Sequence, residues 1–278
     1  MSAQGRPESE SRAPGREGTS TRPAVRFAAA ALAAGALLVA AGPAAAASEG
    51  VKLDDISTEP ADIASLQSGA RTFVNFCLNC HSASLMRYNA MRGIGLTDDQ
   101  IRDNLIFTAE KVGMPMAIAM TPRDAKEWFG ATPPDLSVIA RARGADWLYT
   151  YLRTFYRDAS TPTGWNNLVY PNVGMPHVLW RLQGERALRE EEVSKDGRPI
   201  LGEDGKPRKV ARFEQLSPGS QSTLAYDQTV YDLVNFLAWM GEPHQLERKR
   251  VGIWVLIGLA LLAFLTYFLK RAYWKNVH

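Results

Sequence analysis

Cysteine and histidine are scarce in this 278-residue chain, which has only two cysteines and four histidines. Both cysteines fall in one short stretch, "NFCLNCHSAS", so no second cysteine pair is available to complete a four-ligand zinc site. Charge is also nearly balanced: the formal net charge is +3, and no basic stretch is interleaved with aromatic residues. That pattern excludes a typical nucleic-acid-binding protein. Strand signals are few and short, so the sequence predicts a mostly helical fold.

The N-terminal segment has the pattern of an export signal. Arg22 and Arg26 precede an apolar run over residues 27–41, and the small-residue tract "AAAAS" offers a cleavage site near Ala47. A positive flank, a short apolar run and an A-x-A ending are typical of a secretory signal peptide. We therefore predict that residues 1–47 are a leader and signal peptide, and that the mature chain lies outside the cytoplasm.

A second apolar run, "VGIWVLIGLALLAFLTYFL", covers residues 251–269 without a charged side chain. At about 1.5 Å per residue this run reaches roughly 28 Å, about the thickness of a bilayer core. Basic residues flank it equally on both sides, so the signal peptide and not the positive-inside rule sets its orientation. The sequence predicts an exported domain over residues 48–247, a transmembrane anchor over 251–269, and a cytoplasmic tail over 270–278.

The two cysteines are followed directly by a histidine, in the order Cys77, Cys80, His81. The preceding stretch, "ADIASLQSGARTFVNFC", has apolar side chains at helical spacing, whereas a thioredoxin-like redox pair follows a strand. A disulfide would explain neither the histidine nor the spacing. C-x-x-C-H is the attachment site of a c-type haem, in which two thioethers hold the haem and the histidine binds the iron. We therefore predict one covalent haem c, with His81 as an iron ligand.

The residues alone leave three candidate regions for the second axial ligand of that iron: one with Met114, Met116 and Met120, one with Met175, and one with a histidine. Met114, in "KVGMPMAIAM", and Met175, in "VYPNVGMPHVLW", both follow a glycine that allows close backbone approach and precede a proline that stiffens the loop. A methionine ligand would raise the reduction potential relative to a second histidine. His177 is the third candidate, although an isolated histidine is more often a polar core or surface residue.

Four features, taken together and in this order, resemble the cytochrome c1 family, the haem subunits of ubiquinol–cytochrome c reductase (bc1) complexes. They are "CLNCHS" followed by "MRYNAM"; "GATPPDLSVIARAR" at residues 130–143; "GMP" at 174–176; and "VYDLVNFLAWMGEPHQLERKRVG" at 230–252, which runs into the apolar C-terminal segment. The resemblance covers most of residues 60–275. The chain lacks the additional cysteine pair that braces loops in familiar members, which affects stability and not the haem chemistry.

The resemblance implies specific roles for residues outside the C-x-x-C-H motif. Met175 would be the sixth ligand, because it follows the P-P-D-L-S segment and precedes the C-terminal helices. Pro133 and Pro134 would pack on the haem, and Arg143 would meet a haem propionate, to which a guanidinium can donate from two nitrogens. The implied fold is mostly α: a class I cytochrome c-like haem domain with long loops, plus one C-terminal transmembrane helix.

The same resemblance implies a one-electron carrier in the inner membrane of a bacterium, with its haem domain on the periplasmic side. Electrons would arrive from a Rieske iron–sulfur protein and leave to a cytochrome c, the anchor would pack on cytochrome b within the lipid bilayer, and the complex would be dimeric. The alternatives are a haem subunit of another complex, such as a terminal oxidase or periplasmic dehydrogenase, a haem enzyme or gas sensor, and a thiol-redox protein without haem. The segment P-P-D-L-S with the following R-x-R argues against the first alternative.

Helical patterns cover residues 60–79, 98–109, 135–157 with a break near Gly144, and 226–241. The polar stretch 181–222 contains two turn signals, "KDGRP" and "EDGKP". It predicts an exposed, hairpin-like insertion, which we interpret as a solvated surface loop.

Overall fold

The core of the described chain lies between helices, and the C-terminal helix extends beyond that core. The computed structural model describes residues 51–192, 194–195, 198–199 and 209–276, so the predicted leader at residues 1–47 lies outside the described part. Its helices, numbered in chain order, are α1 Ile63–Phe76, α2 Asp98–Asn104, α3 Pro122–Phe129, α4 Ile139–Arg143, α5 Ala145–Arg153, α6 Trp180–Gln183, α7 Thr223–Gly241 and α8 Gln245–Tyr273, with a 3₁₀ helix at Tyr88–Ile94.

The described strands pair two by two, and every pair is antiparallel. Most of them are short and connect the helices. The pairs are β1 Ala83–Arg87 with β2 Pro115–Met116, β3 Phe155–Arg157 with β4 Trp165–Asn167, β5 Gly184–Glu192 with β8 Lys209–Pro218, and β6 Ser194–Lys195 with β7 Arg198–Pro199.

Helices α1 and α7 pack closely because a glycine lies between them. A Cβ atom added at Gly69 would lie 2.0 Å from the backbone oxygen of Asp232, so only glycine permits this approach. Next to this contact, the Ser65 hydroxyl donates to the Asp232 carboxylate over 2.8 Å, inside the core. The rings of Phe73 and Phe236 continue the interface at a centroid distance of 5.7 Å. The pair therefore forms a rigid support for the residues that follow α1.

The predicted helices are present, but their ends differ from the sequence pattern. The first ends at Phe76 and continues as hydrogen-bonded turns, and the second ends at Asn104 instead of residue 109. The predicted break is real: Gly144 separates α4 from α5 with a φ of 90°. The predicted helix to residue 157 is too long, because Phe155–Arg157 pairs with β4 as a strand.

Helix α8 is long, and none of its residues is buried against the rest of the described chain. It is 29 residues long, and its most apolar 18-residue window has a mean hydropathy of 2.3. Among the described residues it is the one helix long and apolar enough to cross a membrane. It includes the predicted anchor 251–269 and extends beyond it at both ends.

The charged stretch 181–222 contains the two longest strands, β5 and β8. Cross-strand ion pairs join Arg189 to Glu214 at 2.7 Å and Arg212 to Glu191 at 2.9 Å, and all four side chains are more than half exposed. Exposed pairs of this kind contribute little to stability. The outer part of the hairpin is solvated, whereas its base lies against β3, where Arg186 donates to the backbone oxygens of Arg153 and Phe155.

Candidate functional site

A cavity of about 430 Å³ lies where α1, α5 and α7 meet the loops between them. Its lining is mostly apolar, with leucines and aromatic rings from all three helices. The seven residues to which the sequence analysis gives a role at the haem all line it: Cys77, Cys80, His81, Pro133, Pro134, Arg143 and Met175. Residues separated by almost a hundred positions therefore meet at one site.

The C-x-x-C-H motif forms a tight helical turn immediately after α1. The amide groups of Cys80 and His81 both donate to the carbonyl oxygen of Cys77, at 3.1 and 2.9 Å. No disulfide joins the two cysteines, and both line the cavity. Burial raises the pKa of Cys77 to about 12, with a smaller effect from Cys80. A thiolate at Cys77 is therefore disfavoured.

The imidazole of His81 is held by the backbone of the P-P-D-L-S segment. Its Nδ1 lies 2.8 Å from the carbonyl oxygen of Pro134. A carbonyl only accepts, so Nδ1 carries the proton and donates, and in the neutral ring Nε2 keeps a free lone pair. Burial lowers the pKa of His81 more than the Pro134 bond and the Asp135 charge raise it, which favours that neutral ring. This tautomer is the one that binds a metal through Nε2.

Asp135 fixes the P-P-D-L-S segment beside the C-x-x-C-H turn. Its carboxylate accepts from the amide and hydroxyl of Ser84, at 2.8 and 2.7 Å, and from the amide of Ser137, at 2.8 Å. Burial alone would raise the pKa of Asp135, but these bonds outweigh it and the pKa is lowered. Sequence reasoning did not assign this residue a role. The available signal was the D-x-S spacing, which is typical of a local turn closed by an Asp side chain.

Met175 lies on the cavity wall, and its sulfur accepts a hydrogen bond from the hydroxyl of Tyr151 at 3.4 Å. Met114 does not line this cavity, and its side chain is 40% exposed. His177 is buried elsewhere: its Nε2 lies 2.8 Å from Oε1 of Gln183, and burial lowers its pKa to about 3. Of the candidates for the second ligand, Met116 and Met120 included, the structure brings only Met175 to the cavity.

The buried carboxamide of Asn167 orders the start of the loop that carries Met175. Its oxygen accepts from the amides of Val169 and Tyr170, at 2.9 and 3.1 Å. Its nitrogen donates to the backbone oxygen of Tyr151 at 2.7 Å. Asn167 therefore connects the methionine loop to α5, a role that its position in the sequence did not reveal.

Arg143 and its neighbour Arg141 have different surroundings. The guanidinium of Arg143 lies 5.1 Å from the ring centroid of Trp147, and among the residues that line the cavity it is the one lysine or arginine. In the described part of the chain it has no carboxylate partner. Arg141 instead pairs with Glu242 at 3.4 Å, at the end of α7. Of the two arginines, only Arg143 is available to an anionic group in the cavity.

Comparison with known proteins gives a consistent result. The model of the Cytochrome C1 family matches residues 55–200 and 214–277. The chain belongs to the cytochrome c1 family. Cytochrome c1 of Allochromatium vinosum is 43% identical over 244 residues, which are 87% of this chain and 96% of that protein. Cytochrome c1 of Rhodospirillum rubrum is 27% identical over 239 residues, which are 76% of this chain and 81% of that protein.

A protein of Nitrosomonas europaea named "Ammonia monooxygenase gamma subunit" is 47% identical over 243 residues, covering 87% of this chain and 96% of that protein. Its name is a misnomer in this context, since the family match and the cytochrome c1 relatives all indicate a haem electron carrier. The family match omits residues 201–213, which include the first five residues of strand β8.

Membership of the cytochrome c1 family confirms the main predictions for fold, cofactor and activity. The chain is a haem-based electron carrier of the bc1 complex and holds covalent haem c. It is a mostly helical, single-pass membrane protein whose spanning helix is α8. The cavity fits this cofactor: two thiols on one turn, a histidine with a free Nε2 and a methionine sulfur surround an apolar space.

Proposed function

We propose that this cytochrome c1 family member binds one haem c through thioethers at Cys77 and Cys80, with His81 and Met175 as the axial ligands. Bound haem supplies a one-electron ferric–ferrous couple. The observation that supports this assignment best is the meeting of all four residues at one apolar cavity. The other candidate methionines, Met114, Met116 and Met120, do not line that cavity.

Two further residues support the cofactor by orientation and charge. The carbonyl of Pro134 holds the His81 ring by its Nδ1–H, which directs Nε2 toward the cavity. Such a second bond fixes the ring orientation and increases the basicity of the ligand. Arg143 donates to a haem propionate, and the absence of a competing carboxylate among the described residues supports that role. The apolar lining excludes water from the space around the iron.

The domains take the arrangement that the sequence indicates. Residues 1–47 are removed as a signal peptide, 48–247 form the periplasmic haem domain, 251–269 cross the bacterial inner membrane, and 270–278 remain in the cytoplasm. The exposed apolar surface of α8 supports this placement, because it has no partner within the described chain.

On the periplasmic side of the membrane, the haem domain receives one electron from a Rieske iron–sulfur protein and passes it to a cytochrome c. Helix α8 packs against cytochrome b, and the complex is a dimer, as is usual for the family. No residue acts as a general base or nucleophile, because the chain's task is to position the cofactor and set its potential.

A pair of methionine variants tests the ligand assignment. Met175→Ala should remove the far-red band of a ferric haem bound to sulfur, and should lower the reduction potential. Met114→Ala is the matched control and should leave both unchanged. If the band survives in Met175→Ala, or disappears in Met114→Ala, the assignment of Met175 is wrong.

The same variants test the proposed route of electrons. In membranes from cells in which Met175→Ala replaces the wild-type chain, quinol-driven reduction of a soluble cytochrome c should slow. The Rieske iron–sulfur protein should still be reduced by quinol. Met114→Ala membranes should match the wild type. An unchanged rate in Met175→Ala membranes that have lost the far-red band would show that electrons bypass this chain.

A further inference from the structure

The hydroxyl of Tyr151 has an unusual partner. It is buried, with the residue 8% exposed, and its hydrogen bond goes to the sulfur of Met175 at 3.4 Å. A thioether sulfur is a weak acceptor. Buried tyrosines elsewhere in the chain use oxygen instead: Tyr226 donates to the backbone oxygen of Leu152 at 2.9 Å. Core packing alone does not account for a tyrosine whose one donor is directed at a methionine sulfur.

The Tyr151 ring is held in this orientation on both sides. Trp147 stacks on it, with ring centroids 4.8 Å apart and planes at 11°, and Phe155 meets it edge-on at 5.0 Å. These residues are spaced four apart, so they share one face where the chain passes from α5 into β3. On the other side, Asn167 binds the backbone of Tyr151 and the loop that leads to Met175. Donor and acceptor therefore belong to one braced unit.

We propose that Tyr151 is a positioning residue that raises the reduction potential of the haem through its hydrogen bond to the Met175 sulfur. This inference depends on the proposed function, in which that sulfur is an axial ligand. A thioether sulfur has two lone pairs, one for the iron and one for the hydroxyl. The bond withdraws electron density from the sulfur, which weakens its donation to the iron. Weaker donation from the sulfur destabilises ferric iron more than ferrous iron, so the reduced state is favoured.

The experiment compares wild type with Tyr151→Phe in the complete complex, purified from membranes in mild detergent. Tyr151→Phe removes only the hydroxyl and keeps the ring between its aromatic neighbours. The variant should hold covalent haem and keep a low-spin reduced spectrum. Its potential, from a potentiometric titration of the c-type band, should fall, and its far-red sulfur–iron band should shift.

Tyr226→Phe serves as the control, because Tyr226 is a buried tyrosine that does not line the cavity. The variant removes a buried bond to Leu152 and should lower the unfolding temperature without moving the potential or the band. An equal fall of the potential in Tyr226→Phe would overturn the proposal, because the effect would then belong to the loss of any buried hydroxyl and not to the bond with Met175.

The remaining outcomes separate this inference from the ligand assignment. An unchanged potential and band in Tyr151→Phe, with the band lost in Met175→Ala, refutes the role of Tyr151 alone. A band that survives in Met175→Ala refutes the ligand assignment, and the inference fails with it. A Tyr151→Phe chain that does not assemble would also refute the inference, which requires that the hydroxyl is dispensable for folding.

Discussion

Nδ1 of His81 donates to the carbonyl oxygen of Pro134 over 2.8 Å, across 53 positions of sequence. This bond connects the C-x-x-C-H turn to the P-P-D-L-S segment, and it fixes the histidine tautomer that leaves Nε2 free. Because the acceptor is a backbone atom, no side-chain substitution removes it directly. Its position depends instead on Asp135, whose carboxylate ties the same segment to Ser84 and Ser137.

Asp135→Asn should therefore destabilise the haem domain at neutral pH. Asparagine has one acceptor oxygen for three donors, and we expect a loss of about 1 kcal/mol in the free energy of unfolding. The pKa of Asp135 is lowered from its ordinary value of 3.8, so the stabilisation is fully present above that value. It is lost as the pH falls through the depressed value in the folded state. Thermal melts followed by circular dichroism should show a gap between wild type and variant at pH 7 that narrows below pH 3.8.

Asp103→Asn provides the control for that experiment. Asp103 is exposed, and its carboxylate accepts no hydrogen bond within the described residues. Its substitution should leave the melting temperature within error of the wild type. A gap of equal size in both variants, or one that does not change with pH, would show that the carboxylate bonds of Asp135 do not stabilise the site.

Removing both thiols should abolish covalent attachment of the haem. In Cys77→Ala/Cys80→Ala no cysteine remains in the chain, so denaturing electrophoresis followed by haem staining should give no signal. Each single variant keeps one thiol and should retain a weaker, single-thioether signal. Haem that stays with the denatured double variant would contradict the attachment site.

Replacing Arg143 by glutamine should lower the reduction potential. A cation beside the propionates stabilises the ferrous haem, which carries one positive charge fewer on its iron. Arg143 is exposed, so an interaction of the size of a surface ion pair is expected, equivalent to roughly 10–40 mV for one electron. Arg141→Gln, in which the lost partner is Glu242, should not change the potential. Equal shifts in a potentiometric titration of the two variants would indicate a general charge effect and exclude a specific role for Arg143.

Gly69→Ala should destabilise the packing of α1 on α7. The new Cβ would lie 2.0 Å from the Asp232 oxygen and 2.6 Å from the Cβ of Phe236, so the helices must separate. Overpacking of this kind costs about 1–3 kcal/mol. At Gly113 an added Cβ meets nothing within 4 Å, and Gly113→Ala is the control. Similar melting temperatures for both variants would show that the helices can adjust at no cost.

The parts of the site that could be predicted from sequence are those determined locally. The C-x-x-C-H spacing identifies a haem attachment turn without reference to the rest of the fold, and Gly144 indicates the break between α4 and α5. The apolar run of α8 is also determined locally, since its length and composition are enough to predict a membrane-spanning helix. One local signal was overlooked: Thr121, Pro122 and Gly130 mark the start and end of α3.

The parts that could not be predicted depend on contacts between distant positions. Residues 155–157 continue a helical pattern, but they form a strand because pairing with β4 overrides their local preference. The bond from Tyr151 to Met175 joins residues 24 positions apart, and Asp135 reaches Ser84 across 51. Nothing in the spacing of these residues indicates that they meet.

The most direct test of the central claim is a stepwise-reduced visible spectrum of the tagged chain, purified from membranes in mild detergent. We expect ascorbate to produce a c-type band from the haem at Cys77 and Cys80, and dithionite then to produce separate b-type bands from a co-purified cytochrome b. A c-type band without any b-type band, in a preparation that retains the other membrane subunits, would contradict the assignment to a bc1 complex. The absence of a c-type band would contradict the haem site itself.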